Sequence, residues 1–345
     1  MKILGIESSC DECAAAVVED GKLVLSNVVA TQIPLHAKYD GVVPELASRM
    51  HTEWIYRVAG EALEKAGLSP AEIDGVAATA HPGLLGSLLV GLSFAKAFAW
   101  ARKLPFIAVN HMLAHLYAPR LHWEQPPEAP PEYPFLGLLV SGGHSIICRV
   151  DNFDAISVLG TTVDDAAGEA FDKVSAHYGF GYPGGVYIDR LAKKGNPEAF
   201  RFPMPSLRKG DHPYDLSYSG LKTAVINQLE QFRNPRAAAG SDREDIAASF
   251  QKTAVEILLR ALFRAAEDTG LTTVVAGGGV AANSYLRSRL AERADLRSIF
   301  PPMEFCGDNG AMIAGIGYQY LVRGDRSPLS AAASARVQGF KKRYP

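Results

Sequence analysis

Cysteine is scarce in this chain of 345 residues: there are four, at Cys10, Cys13, Cys148 and Cys306. Cys10 and Cys13 make a single CxxC with no second pair at zinc-ribbon spacing, so reduced, packed thiols are expected. A surplus of one charge is missing as well. With 35 Lys and Arg against 37 Asp and Glu, the formal net charge is −2. Any nucleic-acid partner must therefore meet a local basic patch. No signal peptide is legible: MKILGIESS reads as a short apolar strand, which points to the cytoplasm. Only Gly83 to Ala101 is apolar enough to imitate a membrane span. It contains Lys96, is rich in Gly, Ser and Ala, and runs straight into a strand-like stretch, so a buried or interface helix is expected and no membrane. What remains is a globular composition, 48% hydrophobic and 21% charged, at a length that favours two domains.

The pattern along the chain is that of an α/β protein. Ile3–Ile6, Ala14–Val18 and Leu23–Val29 read as strands, the last two joined by the hairpin signal Asp20-Gly21. Helices are expected over Pro44 to Ala66 and Gly86 to Ala101, with strands at Val76–Ala80 and Leu104–Val109 and a further helix from His111. The segment EQPPEAPPEYP, Glu124 to Pro134, is too rich in proline for a helix or central strand and reads as a linker. The second half opens as the first did: strand Phe135–Val140, polar turn Ser141-Gly142-Gly143, strand Ser145–Val150. Helices Arg243–Thr269 and Ser284–Arg293 bracket the strand Thr273–Ala276. This repeat fits two related lobes facing a ligand cleft, the architecture of actin, sugar kinases and heat-shock ATPases. The expected division is residues 1–134, completed by about 318–345, and residues 135–317 carrying the nucleotide-binding turns and the acidic metal ligand.

Several residues could carry chemistry, each with a plainer alternative. His111 and His115 stand i, i+4 on a helix and can grip one metal ion, or they are ordinary helix histidines. A zinc protease would need Glu after the first His; Met112 is there instead. Asp308, in FCGDNGAM, offers a remote carboxylate ligand or a helix cap. AGGGVAAN, Ala276 to Asn283, follows a strand and opens a helix, as phosphate-binding turns do, but no Gly-Lys-Ser/Thr follows it, so it is not a P-loop. Ser141-Gly142-Gly143 is a second candidate of this kind, and for both stretches the plainer alternative is a tight turn. Asp164, Asp165, Glu169 and Asp172 sit at helical spacing, as a functional cluster or a solvated face. Arg190, Lys193, Lys194, Arg201, Arg208 and Lys209, with Phe200 and Phe202 among them, form a basic stretch that can track nucleic-acid phosphates and stack on bases, or again a solvated face.

In order, GIESSCDE, NHMLAH, LLVSGGH, DDAAGEAFDKV, YPGG, SYSGLKTA, AGGGVAAN and FPPMEFCGDNGAM run from Gly5 to Met312, and this chain resembles the bacterial TsaD family across them. The resemblance implies a two-lobed actin-like fold and a tRNA N6-adenosine threonylcarbamoyltransferase. It implies a divalent metal, Fe2+ or else Zn2+, on His111, His115 and Asp308. It implies adenylate binding (AMP, ATP or threonylcarbamoyl-adenylate) by Leu139, Val140, Ser141, Gly142, Gly143, Asp172, Gly185, Asp189, Gly277, Gly278 and Asn283, with Glu12 as a catalytic candidate. Implied partners are tRNA, a TsaB-type paralogue and a TsaE-type ATPase, with a homodimer when the chain is alone. Cys13 and Ser145 stand where the family usually has Thr. Three rivals remain: an ATP-dependent kinase of the same superfamily, a non-catalytic scaffold paralogue, and a metalloprotease. The first has no use for the His111–His115–Asp308 set, the second could lose it, and Met112 speaks against the third.

Overall fold

The structure, a computed structural model, describes residues 1–39, 41–126, 129–205, 212–234 and 242–337. The chain divides into two compact units. Of the described residues, the first unit holds Met1–Glu132 and the stretch from Pro301 to residue 337; the second holds Tyr133–Phe300. In chain order the elements are β1 (Lys2–Glu7), β2 (Glu12–Glu19), β3 (Leu23–Thr31), α1 (Ile33–His36), α2 (Pro44–Lys65), β4 (Gly75–His81), α3 (Leu85–Arg102), β5 (Phe106–Asn110), α4 (His111–Tyr117), β6 (Phe135–Val140), β7 (Ser145–Asn152), β8 (Ala155–Thr161), α5 (Ala167–His177), α6 (Gly184–Ala192), α7 (Ser219–Asn227), α8 (Asp242–Thr269), β9 (Thr273–Gly277), α9 (Ser284–Ala291), β10 (Arg297–Ile299) and α10 (Gly310–Arg323).

Each unit holds one five-stranded sheet, ordered β3-β2-β1-β4-β5 in the first and β8-β7-β6-β9-β10 in the second. In both, the first strand sits at the centre, pairs antiparallel with the next strand and parallel with the fourth. The internal repeat visible in the sequence is thus a repeat of strand order and direction.

In the first unit, Leu4 and Ile6 of β1 and Cys13, Ala15 and Val17 of β2 pack with Ile55, Val58 and Ala62 of α2 and Leu92 and Ala95 of α3. A strand turns alternate residues to opposite faces, so Gly5 and Glu7 face away from that core. There α10 lies on the sheet. A Cβ on Gly5 would come within 2.3 Å of the Gly310 carbonyl, and one on Gly310 within 2.6 Å of the Ala16 nitrogen. Two glycines therefore seat the start of α10 directly on the β1–β2 backbone. Both faces of the sheet are covered, which is why its central strands read as continuous apolar runs. At the hairpin between β2 and β3, Asp20 and Gly21 both take positive φ, as that turn requires. The second unit's core gathers Leu136, Leu138 and Val140 of β6 around α5 and the long α8, where Phe171 and Phe250 meet edge to face at 5.0 Å.

Three expectations are corrected. Pro301 to residue 317, and with it Asp308, belongs to the first unit and not to a segment 135–317, because α10 packs on β1, β2 and β4. The run Asp164 to Asp172 is not one helix face: α5 begins at Ala167, and Asp164 instead accepts hydrogen bonds from Ser217 Oγ and the Tyr218 N–H before it. Phe200 and Phe202 cannot stack on bases, since both are buried and stack on each other at 5.8 Å. None of the four cysteines is in a disulfide; burial pushes the thiols of Cys13 and Cys148 up to about 12. Among the described residues, no helix is long and apolar enough to cross a membrane.

Candidate metal centre and nucleotide-binding turns

His111 and His115 face one another because α4 starts abruptly at the end of β5. Asn110 closes the strand and caps the helix, its side chain accepting from the Met112 N–H at 2.9 Å. One helical turn then brings the two imidazoles together edge to face, with ring centres 4.6 Å apart. Asp308 arrives from the other end of the chain. The cap of α10 is Asn309, which accepts from the Met312 N–H, so Asp308 is left to turn its carboxylate toward the histidines. The seating of Gly310 on the sheet fixes where that carboxylate lies.

The three donor atoms converge. His115 Nε2 is 3.2 Å from His111 Nε2 and 3.0 Å from Asp308 Oδ1, and His111 Nε2 is 3.5 Å from the same oxygen. Metal–ligand bonds of about 2.1 Å place two ligand atoms about 3.0 Å apart at a right angle and about 3.4 Å apart at a tetrahedral one. The separations thus fit a single small divalent ion, and two imidazoles with one carboxylate are a donor set for it.

The electrostatics are those of a charged cluster held out of water. Burial works against the imidazolium of His111, but the carboxylates of Glu7 and Asp308 outweigh it and raise its pKa to about 9. His115 is held neutral by burial and by His111. Burial works against the ionised carboxyl of Asp308, yet the two histidines keep it well below the usual carboxylate range. Glu12 goes the other way. Burial, then the charges of Asp11 and Asp308, push its carboxyl well above that range.

Sequence reasoning missed the residues beneath this set. Glu7 is fully buried and bonds His111 Nδ1 at 2.9 Å, Thr79 donates its hydroxyl to Glu7, and Ser9 lies 3.3 Å from His111 Nδ1 and 3.5 Å from Asp308 Oδ2. The available signal was a lone acid closing an apolar strand in GIESS.

In the second unit the two glycine turns lie side by side, because β6 and β9 pair in parallel with Leu139 opposite Gly277. Gly278 has φ of 93°, and a Cβ there would come within 2.3 Å of the Val140 carbonyl; its glycine serves the fold. Gly142, Gly143, Gly185 and Gly279 face open space. Leu139 and Val140 are buried strand residues behind Ser141. Asp172 accepts from the Gly184 N–H at 2.7 Å, Asp189 accepts from the Ser284 N–H and hydroxyl, and Asn283 caps α9 while donating to Gln251. A residue missed here is Gly168, whose N–H donates to the Ser141 carbonyl and whose lack of a Cβ lets α5 abut the first turn. Of the basic stretch, Lys193 pairs with Asp189 at 3.3 Å and Arg190 lies over the Tyr187 ring. Arg208 and Lys209 lie outside the described residues.

Solved structures with this arrangement of strands are known. HypF in its phosphate- and nucleotide-bound form is 16% identical, with a TM-score of 0.60 over 94% of this chain and 56% of that one. Component A of the (R)-2-hydroxyglutaryl-CoA dehydratase of Acidaminococcus fermentans is 16% identical, with a TM-score of 0.55 over 93% of this chain and 99% of that one. At such identities the likeness speaks to fold, and the fold is the two-unit α/β architecture of the actin-like ATPases. The sequence goes further. A family profile described as TsaD, tRNA N6-adenosine threonylcarbamoyltransferase, matches residues 23–315. A protein of that name from Treponema denticola is 66% identical over 99% of both chains, and one from Borreliella burgdorferi is 48% identical over 100% of this chain and 96% of its own. The chain belongs to the TsaD family.

Proposed function

We propose that the protein transfers a threonylcarbamoyl group from threonylcarbamoyl-adenylate to the exocyclic N6 amine of the adenosine 3′ of the anticodon, in tRNAs reading codons that begin with A. A bond forms between that nitrogen and the carbamoyl carbon, the bond to the phosphate oxygen breaks, AMP leaves, and the amine loses a proton. The observation that carries this reading is the 66% identity, over 99% of both chains, to a relative named for this transfer.

The residues suit the parts the reaction needs. A divalent ion held by His111, His115 and Asp308, Fe2+ by the preference of two-histidine, one-carboxylate sets and Zn2+ as the alternative, would supply a Lewis acid for oxygens of the acyl-adenylate. Ser141–Gly143 and Gly277–Asn283, with Asp172, Gly185 and Asp189, are assigned to the AMP portion. The open space at Gly142, Gly143, Gly185 and Gly279 lets a phosphate approach the backbone closely. Glu12, whose carboxyl is raised by burial and then by the charges of Asp11 and Asp308, is the candidate for handling the amine proton. Arg190, Lys193 and Lys194, with Arg208 and Lys209, are assigned to tRNA phosphates.

The surface of the first unit supports the reading of its partners. Tyr56 on α2 and Leu85, Leu89 and Trp100 on α3 expose 81%, 49%, 49% and 73% of their area. Apolar exposure on this scale supports docking of a TsaB-type paralogue, with a TsaE-type ATPase completing the assembly, and self-association when the chain is alone. The test is to mix the protein and these partners with preformed threonylcarbamoyl-adenylate and unmodified tRNA. Modified nucleoside supports transfer; phosphorylated product with ATP, or no product from a correctly assembled complex, supports the kinase or scaffold reading instead.

A further inference from the structure

Glu7 closes β1, the central strand of the first sheet, and is the only acid on it. It is fully buried. A buried carboxylate is costly unless hydrogen-bonded and paired, so its partners indicate what it is for. All three are donors. The Ser9 N–H donates to Oε1, the Thr79 hydroxyl donates to Oε2, and His111 Nδ1 lies 2.9 Å from Oε2. An ionised carboxylate only accepts. The proton of His111 is therefore held on Nδ1, and the lone pair of a singly protonated ring belongs to Nε2, the atom that faces His115 Nε2 and Asp308 Oδ1. His115 has no such support: its Nδ1 is buried without a hydrogen-bond partner among the described residues.

We infer that Glu7 is a positioning residue for a metal donor: it fixes the tautomer and ring plane of His111 so that Nε2 is presented to a divalent cation. This rests on the metal reading above. In Glu7→Gln, one end of the side chain becomes an NH2 group among three donors. If it faces His111, the ring must accept at Nδ1 and carry its proton on Nε2, which then cannot ligate. If it faces the Ser9 N–H, two donors collide in a buried place and the side chain is displaced. Either way the alignment of His111 is lost. Supports of this kind are worth about 10–100-fold in metal affinity.

The experiment measures Co2+ binding by the full-length chain, by competition with a chromophoric chelator and by the visible absorption of bound Co2+. Glu7→Gln is expected to weaken Co2+ binding by about 10–100-fold and to alter the Co2+ spectrum, with metal-free urea unfolding as the control for folding. Glu7→Asp keeps the charge but withdraws the carboxylate by one methylene, so it should fall between wild type and Glu7→Gln; it carries the test if Glu7→Gln does not fold. In 15N-histidine-labelled protein loaded with Zn2+, His111 should show a proton on Nδ1. Wild-type Co2+ affinity and spectrum in both Glu7 variants, with no binding in His111→Ala, would overturn the role of Glu7 alone. Wild-type binding in His111→Ala would overturn the metal reading on which it rests.

Discussion

Asp308 Oδ1 lies 3.0 Å from His115 Nε2 although 193 positions separate the two residues in the chain. The approach is made by packing. Gly5 and Gly310 let α10 sit on the sheet, Asn309 takes over the cap, and the preceding carboxylate turns to the histidines of α4. Removing the two imidazoles should therefore remove the metal and leave the seating intact. His111→Ala with His115→Ala is expected to lower bound metal, measured by elemental analysis, to background, while circular dichroism keeps the native signal. Full metal content in the double variant would refute the assignment.

Metal uptake should depend on pH with a defined sign. Without metal, His111 stays protonated up to about 9, whereas His115 is already neutral at pH 7. Binding displaces one proton, so apparent Zn2+ affinity should rise about tenfold per pH unit toward pH 9 and then flatten. Stability of the metal-free protein should move oppositely. A raised histidine pKa contributes stability that is complete below the ordinary value of 6.5 and lost by about 9. The lowered carboxyls of Glu7 and Asp308 contribute above their ordinary values of 4.5 and 3.8 and lose this as pH falls. In urea unfolding of chelated protein the joint contribution of these three groups should thus be complete only between pH 4.5 and 6.5, with two opposing slopes beside it: the raised carboxyl of Glu12 contributes below 4.5 and loses this as pH rises, and the lowered His115 contributes above 6.5 and loses this as pH falls.

On the proposed function, the glycine turns divide into positions that serve the fold and positions that would bind nucleotide. Gly278→Ala should destabilise by about 1–3 kcal/mol through its positive φ and the Val140 carbonyl, with AMP affinity following stability. Gly279→Val, built into open space, should leave stability within about 0.5 kcal/mol and block AMP. Calorimetry with AMP and urea unfolding of both variants separate the two effects. Unchanged AMP affinity in Gly279→Val would move the nucleotide elsewhere.

Binding of tRNA should weaken in Lys193→Glu with Lys194→Glu, and the slope of log affinity against log salt should flatten by up to about 2. Because Lys193 pairs with Asp189, the single Lys194→Glu is the variant that must leave AMP affinity untouched. Unaltered tRNA affinity and slope in the double variant would place the tRNA on another surface.

Leu89→Asp with Trp100→Asp should abolish self-association of the isolated chain and weaken capture of a TsaB-type paralogue, as read by analytical ultracentrifugation. A wild-type chain that is monomeric at high concentration and active alone over many turnovers would contradict the docking role of α3.

Strand alternation and turn residues made most elements legible. The apolar runs of β1, β4 and β9, the Asp20-Gly21 turn and, in its described residues, the proline-rich linker stand where the pattern put them. The i, i+4 histidines were legible because helical spacing is local. Asp308 was legible only as one of two alternatives, since nothing local reveals that Asn309 takes the cap. Its unit was misassigned because the sequence does not show α10 returning to the first sheet through Gly5 and Gly310. Glu7 and Ser9 escaped notice because their partners, Thr79 on β4 and His111 on α4, are remote in sequence, and only the sheet brings the four together. The acidic run at Asp164 resembled a helix face by spacing alone, whereas its first two carboxylates bind the Ser217–Lys222 segment.

The most direct measurement strips the chain of metal, assembles it with the proposed TsaB-type and TsaE-type partners, and adds preformed threonylcarbamoyl-adenylate and unmodified tRNA before and after stoichiometric Fe2+ or Zn2+. Digested tRNA is then read by mass spectrometry for threonylcarbamoyladenosine. The account predicts no product before metal is restored, product afterwards, and none at any time from His111→Ala with His115→Ala. Full modification by the stripped protein, or by the double variant, would contradict it.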